Sequence, residues 1–173
     1  DRVTGGRIRH ELDLIFQEAQ PEAALDRLQA LEALQQIDPA LGCDAWVHRA
    51  FKHLRQALDP VFWALKAEDL PFIHWTLWLY RLDIGALQRI GDRLLMPRHY
   101  QDAFALLPAL RETLPTLPQI ECPSQVVATL ETLLGNAYPK YLLPTAWIAA
   151  DAALLAPESA AQSAAIRTKL ERY

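Results

Sequence analysis

Apolar residues recur along this chain mostly at spacings of three and four, the period that lines one face of an α-helix. After Thr4, a good N-cap, Ile8, Leu12, Ile15 and Phe16 keep that spacing until Pro21 stops it. Arg7–Glu11 and Arg9–Asp13 lie four apart on the flanks of this helix and are expected to pair across one turn. Pro21 suits the first turn of a second helix, whose inner stripe reads Ala24, Leu25, Leu28, Leu31 and Leu34 before Asp38-Pro39 breaks it. Asp44 is placed to cap a third helix running toward Leu58, with Trp46 or Val47, Ala50, Phe51, Leu54 and Leu58 inward.

A short helix through Val61, Phe62 and Leu65 is expected after Asp59-Pro60. Phe72 to Leu82 is apolar nearly all round, with Trp75, Leu77, Trp78, Leu79 and Tyr80, and predicts a buried central helix. Asp83 caps the next helix, with Ile84, Leu87, Ile90, Leu94 and Leu95 inward and Gly91 as a weak point. Pro97 starts another, carrying Tyr100, Phe104, Leu107 and Leu110, in which Pro108 predicts a kink or break. Leu114-Pro115-Thr116-Leu117-Pro118 reads as a stiff linker. Ser124 is expected to cap a helix carrying Val127, Leu130, Leu133 and Leu134, stopped at Gly135-Asn136. Tyr138 to Leu155 reads as helix interrupted at Pro144, and Glu158 to Tyr173 as a last helix facing inward with Ala161, Ala165, Ile166 and Leu170. The expected fold is all-α, an irregular multi-helix bundle of about eight to ten helices. No self-similarity of the kind that marks a repeat array is present.

Composition narrows the function classes. Apolar residues make up 51% of the 173 residues and charged residues 22%, ordinary values for a folded domain. No apolar run reaches the roughly 20 residues that span a bilayer. The opening Asp1-Arg2-Val3-Thr4-Gly5-Gly6 has neither an initiator Met nor a signal-peptide core, so the chain is expected to be a piece of something longer. Cys43 and Cys122 are far apart and flanked by no clustered His, so neither a zinc site nor a disulfide framework is expected. Both are expected to be buried thiols in a reducing cytoplasm. The formal charge of −4 argues against a free-standing, non-specific nucleic-acid binder, though not against a local basic face.

Catalytic constellations are absent. The chain has no glycine-rich phosphate loop, no His pair at metal spacing and no nucleophile elbow. The five histidines are scattered, and His74 inside the apolar helix reads as a core residue rather than a base. Nucleotidyl transfer needs two carboxylates on a sheet holding two cations, and no segment here reads as such a sheet. Catalysis by this chain alone, a metal site and a cofactor are therefore not expected.

The stretch from Arg2 to Phe16 nevertheless resembles the start of the neck in class II tRNA nucleotidyltransferases (CCA-adding enzymes) and their bacterial poly(A) polymerase relatives. That family typically has a Ser- or Thr-capped helix reading roughly E-R-I-R-x-E-L, matched here by Arg7, Ile8, Arg9, Glu11 and Leu12. It then shows a Pro-started helix and a P-x-L sequence, matched by Pro21 to Leu34 and by Pro39-Ala40-Leu41. Cys122-Pro123-Ser124-Gln125-Val126-Val127 is similar to a helix start in the family's body. One departure is local: many members carry Gly in the turn that ends the second helix, where this chain has Glu32-Ala33-Leu34.

The resemblance implies a neck-like RNA-binding segment over residues 1–43 and a helical body over 44–173. It implies a parent enzyme that adds nucleotides to tRNA or RNA 3′ ends, by CCA addition or polyadenylation. Mg²⁺ would be held in a catalytic head outside this chain, and the head would be a partner of the body. The task left here is to position RNA through phosphate contacts and shape. Exposed aromatics, where the fold leaves any, would favour a homodimer.

The residues expected to touch RNA sit first on the third helix, whose outward side carries His48, Arg49, Lys52, His53, Arg55 and Gln56. Arg49, Lys52 and Arg55 are the phosphate-binding candidates, together with Arg7 and Arg9 in the neck. Arg89, Arg93 and Arg98 form a further candidate patch around Met96-Pro97. The aromatics Phe62, Trp63, Phe72, Trp75, Trp78 and Tyr80 are expected in the core rather than stacked on bases. A second reading stays open: an all-helical protein-interaction scaffold with no RNA role, in which the same cations are a solvated surface.

Overall fold

The computed structural model describes residues 4–135, 139–151 and 160–173. Among the described residues there are ten α-helices and no strand, the all-α bundle that the apolar spacing predicts. Helix α1 spans Gly5–Ile15, α2 Pro21–Ala30, α3 Ala33–Ile37, α4 Ala45–Ala57 and α5 Leu70–Leu79. Then follow α6 Ile84–Arg93, α7 Arg98–Thr113, α8 Pro123–Leu134, α9 Pro139–Ala149 and α10 Ala160–Glu171. The expected stop at Asn136, the ends of the Tyr138 to Leu155 segment and the start of the last helix at Glu158 lie outside the described residues.

Helix α5 is the axle. Every residue from Pro71 to Leu79 is buried, and α4, α7 and α9 pack around it. Trp75 is fully buried, edge-on to Phe16 at 5.0 Å, and its indole N–H donates to Asp13 Oδ1 at 2.7 Å. Trp78 donates to the Gly42 carbonyl at 2.8 Å, tying α5 to the loop before α4. These bonds satisfy the polar edges of rings whose bodies supply the apolar area. His74 is core as expected, stacked on Phe16 and edge-on to Phe51. Its Nδ1–H donates to the Leu70 carbonyl, while Nε2 has no partner, so only half of its polar edge is satisfied. One hydrophobic cluster contains Leu12, Phe16, Leu25 and Leu34 from the first 43 residues together with the helices that follow.

Several local expectations are corrected. The second helix ends at Ala30, not at Asp38. Glu32 adopts a left-handed conformation (φ 55°, ψ 16°), and the chain restarts as α3, which leaves Leu31 76% exposed and Leu34 fully buried. No helix forms over Val61–Leu65. Asp59 Oδ1 accepts from the Val61 and Phe62 backbone N–H groups and closes a turn, the local bonding by which Asp competes with helix. Val61 and Phe62 are consequently exposed, and Phe62 and Trp63 fall outside the fully buried aromatics. Ile84 and Leu95 also face outward, Leu95 because it takes φ 51° at the end of α6.

Pro108 and Pro144 do not break their helices. Each loses one backbone bond, but Leu107 and Leu110 beside the first, and Leu143, Thr145 and Ala146 beside the second, are buried, and packing holds the helix through the defect. Leu114–Gln119 is a 3-10 helix rather than a linker, because its three-residue turn puts buried Leu114 and Leu117 on one side, and the segment packs against α10. Cys122, not Ser124, is the N-cap residue of α8, and it is exposed; only Cys43 is the buried thiol expected. In the last helix Ser163 is buried and Ala161 exposed.

Candidate nucleic-acid interface

Helix α4 starts where its sequence asks it to. Asp44 Oδ1 accepts the Val47 N–H at 3.1 Å, and Val47, Ala50, Phe51 and Leu54 form the buried stripe. The basic residues occupy the remaining arc, but the fold divides them. Three residues of α2 at positions i, i+4 and i+7, Glu22, Asp26 and Gln29, share one face of that helix. Each has a partner on α4 or on the residues just before it. Glu22 takes a bidentate pair from Arg55 at 2.6 and 2.8 Å. Asp26 meets His48 Nε2 at 2.9 Å. Gln29 bonds both the N–H and the carbonyl of Cys43. The partners descend as the α2 numbers rise, so this seam is an antiparallel polar ladder.

Burial pushes the Glu22 carboxyl up, but the hydrogen bonds and charge of Arg55 outweigh it and hold Glu22 below the usual carboxylate range. The same contest, burial against Arg81 and the helix cap, leaves Asp44 lowered. His53 is engaged on another side of α4, 3.2 Å from an Asp151 oxygen that also pairs with Arg167.

Of the five predicted RNA-binding residues, the structure leaves Arg7, Arg49 and Lys52 exposed and without a charged partner among the described residues. Arg55 is engaged in the ladder, and its side chain is one third exposed (32%). Arg9 does not pair with Asp13; its guanidinium donates to the Leu95 carbonyl, while Asp13 serves Trp75. Nor do Arg7 and Glu11 pair, so the predicted turn-to-turn bridges are absent from α1.

The Arg9 contact brings the start of α1 onto the end of α6. There the approach is so close that a Cβ on Gly5 would fall 1.9 Å from the Arg93 carbonyl oxygen, which requires glycine at this position. Of the second predicted patch, Arg89 is held by Asp38 and Arg98 by Asp102, leaving Arg93 open beside the start of α1. The fold thus joins Arg9 and Arg93 at one corner and keeps Arg49 and Lys52 on another helix.

Among the described residues, one group could hold a metal ion: Asp26, Cys43 and His48, whose ligand atoms lie within 4.8 Å of one another. Spacing arguments missed it because the three come from α2, a loop and α4. The only sequence signal was that Asp26 and Gln29 share a helical face, which says nothing about the loop they meet. A groove of about 680 Å³ is bordered by Phe16, Arg55, Pro71 and His74. No family model, curated protein or solved structure matches the chain.

Proposed function

We propose that this chain is the RNA-positioning portion of a template-independent nucleotidyltransferase acting on tRNA or RNA 3′ ends, with catalysis supplied by a head outside it. The observation that carries this reading is Glu32. At the turn where many members of the resembled family keep glycine, this chain folds Glu32 into the left-handed region that glycine occupies without cost. The one departure from the family pattern therefore falls at a position whose backbone suits glycine. The reading is further supported by α1 beginning directly after Thr4 and by α2 opening at Pro21, the two helix starts that the resemblance implies. Of the five predicted residues, Arg7 on α1 and Arg49 and Lys52 on α4 are free to meet phosphates.

A second reading draws on a different observation. Val61 is 89% exposed and Phe62 56%, an apolar tip suited to a protein partner and to a helical scaffold with no RNA role. A titration against a tRNA minihelix at low and moderate salt separates the two. On the RNA reading the chain binds in a salt-sensitive manner, and Arg49→Ala with Lys52→Ala weakens it. Absent binding, or equal binding by the chain and the double variant together with an Arg7→Ala variant, sinks the RNA reading and leaves the scaffold.

A further inference from the structure

We propose that Asp26, Cys43 and His48 form a binding site for a divalent transition-metal ion of borderline softness, with Zn²⁺ as the type, and with a coordination position open to solvent. The donor set is one thiol, one imidazole and one carboxylate. That combination suits zinc and its neighbours and is wrong for Mg²⁺ or Ca²⁺, which take oxygen alone. A cluster of surface acids would not discriminate in this way.

The geometry is close to what tetrahedral binding requires. With metal–ligand bonds of about 2.0–2.3 Å, tetrahedral ligand atoms sit roughly 3.3–3.8 Å apart. Here all three lie within 4.8 Å, and His48 Nε2 and Asp26 Oδ1 are 2.9 Å apart. Seating an ion means spreading that pair by roughly half an ångström and drawing the thiol inward, changes within the reach of side-chain rotation. Two of the ligands can make them easily, because the side chains of His48 and Asp26 are 42% and 46% exposed. The same exposure gives the ion its way in and leaves room for water.

The third ligand hangs from a fixed backbone, and its thiol moves by side-chain rotation alone. Cys43 is buried, and its backbone is clamped on both sides by the Gln29 amide, which accepts from its N–H at 2.6 Å and donates to its carbonyl at 3.4 Å. Asp44 then caps α4 and sets His48 one turn along, so a single loop and helix start orient two of the three donors. Supporting bonds of this sort hold ligands in place in metal sites generally. Cys43 also borders a cleft of about 310 Å³ with Gly42, Trp78 and Arg81.

Charge favours a cation. The carboxylates of Asp26, Glu22 and Asp44 place negative charge around Cys43. Binding would exchange protons for the ion. The Cys43 S–H bond and the His48 Nε2–H bond that faces Asp26 break, the sulfur and Nε2 lone pairs form the bonds to the ion, and both protons leave to solvent, with Nδ1 carrying the hydrogen of the neutral ring. In the metal-free molecule the Cys43 thiol lies beside the His48–Asp26 hydrogen bond.

The test is a Co²⁺ titration of the full 173-residue chain after chelator treatment, reading the thiolate-to-cobalt charge-transfer band. The expected result is a band that saturates at one equivalent and is bleached by Zn²⁺. Cys43→Ser abolishes it, and Asp26→Asn and His48→Gln each weaken Co²⁺ binding by about 10–100-fold or more. Exposed Cys122 serves as control, and Cys122→Ser leaves the band intact. No band, a band that survives Cys43→Ser, or one that disappears with Cys122→Ser overturns the proposal. Should Cys43→Ser fail to fold by circular dichroism, the two surface variants decide the matter: unchanged Co²⁺ affinity in both refutes the site.

Discussion

The centre of the molecule and the seam between α2 and α4 solve the same packing problem with opposite materials. Around α5, residues Pro71 to Leu79 are buried and polar atoms are few, each indole N–H being tied to a single acceptor. Along the seam, Glu22–Arg55, Asp26–His48 and Gln29–Cys43 stack as a polar ladder at the edge of the core. A close-packed apolar centre has little room to rearrange. A ladder in which each rung joins polar groups and the Asp26–His48 rung is half-exposed can open and rotate there, because water can stand in for the lost partner. The candidate chemistry therefore lies along the seam, while α5 supplies the rigidity against which the seam is built.

The comparison makes a steep prediction at the centre. Trp75→Ala should cost about 3–5 kcal/mol, from lost burial, the cavity left behind and the unpaired Asp13. Urea unfolding measures it, and a loss no larger than that of a seam variant would erase the distinction between the two regions. His74 gives the centre a pH dependence. Burial lowers it to about 4, so the folded state binds this proton less readily than the unfolded chain. The neutral ring's contribution is thus fully present above the ordinary histidine value of about 6.5 and is lost as pH falls from there toward about 4. Unfolding free energy should decline by roughly 2–3 kcal/mol across that window from this group, and His74→Phe should flatten the decline. Equal slopes in both proteins would show that His74 is not the group responsible.

At the seam the effect should be smaller. Arg55→Ala leaves the Glu22 carboxylate, whose side chain is 10% exposed, without its bidentate partner. Because Arg55 is itself one third exposed, the loss should be about 1–3 kcal/mol rather than that of a fully buried pair. The double variant with Glu22→Gln should recover part of it, and a double-mutant cycle reads the coupling. As the Glu22 carboxyl is held low in the folded state, its share is present above the unfolded carboxylate value and disappears on acidification through the folded one. Glu32→Gly should go the other way, stabilising the chain by about 0.5–1 kcal/mol through release of the left-handed strain. A destabilised glycine variant would remove the strain argument on which the family reading leans.

The sequence was most legible where one physical term dominates. Asp44 and Asp83 cap their helices as read, and the all-round apolar stretch at α5 is buried as read. It was misleading where two local preferences compete. Asp59 reads as a helix start but closes a turn through its own carboxylate, and Leu31 fits the apolar stripe but lies past the helix end at Ala30. Propensity alone predicts a kink or break at Pro108 and an interruption at Pro144, whereas the buried leucines around them decide the outcome. The site was legible only as a set of residue types. Spacing put Arg49, Lys52 and Arg55 on one arc of α4, yet whether each is free depends on α2, which local periodicity does not place. For the same reason Asp26, Cys43 and His48 were invisible as a group.

The smallest effect on stability should come from the open side of α4. Arg49 and Lys52 have no charged partner among the described residues, so replacing both with Ala should change the unfolding free energy by no more than about 0.5 kcal/mol. Their effect should appear instead in RNA binding. Each phosphate contact releases about 0.7–0.9 of a counterion, so losing both should reduce the slope of log K against log salt by roughly 1.4–1.8. Arg55→Ala should lower stability yet change that slope far less, because its guanidinium already faces Glu22. If the Arg55 variant matched the double variant in slope, the ladder would have to open on binding, and α4 would present one basic face rather than two differently engaged sides.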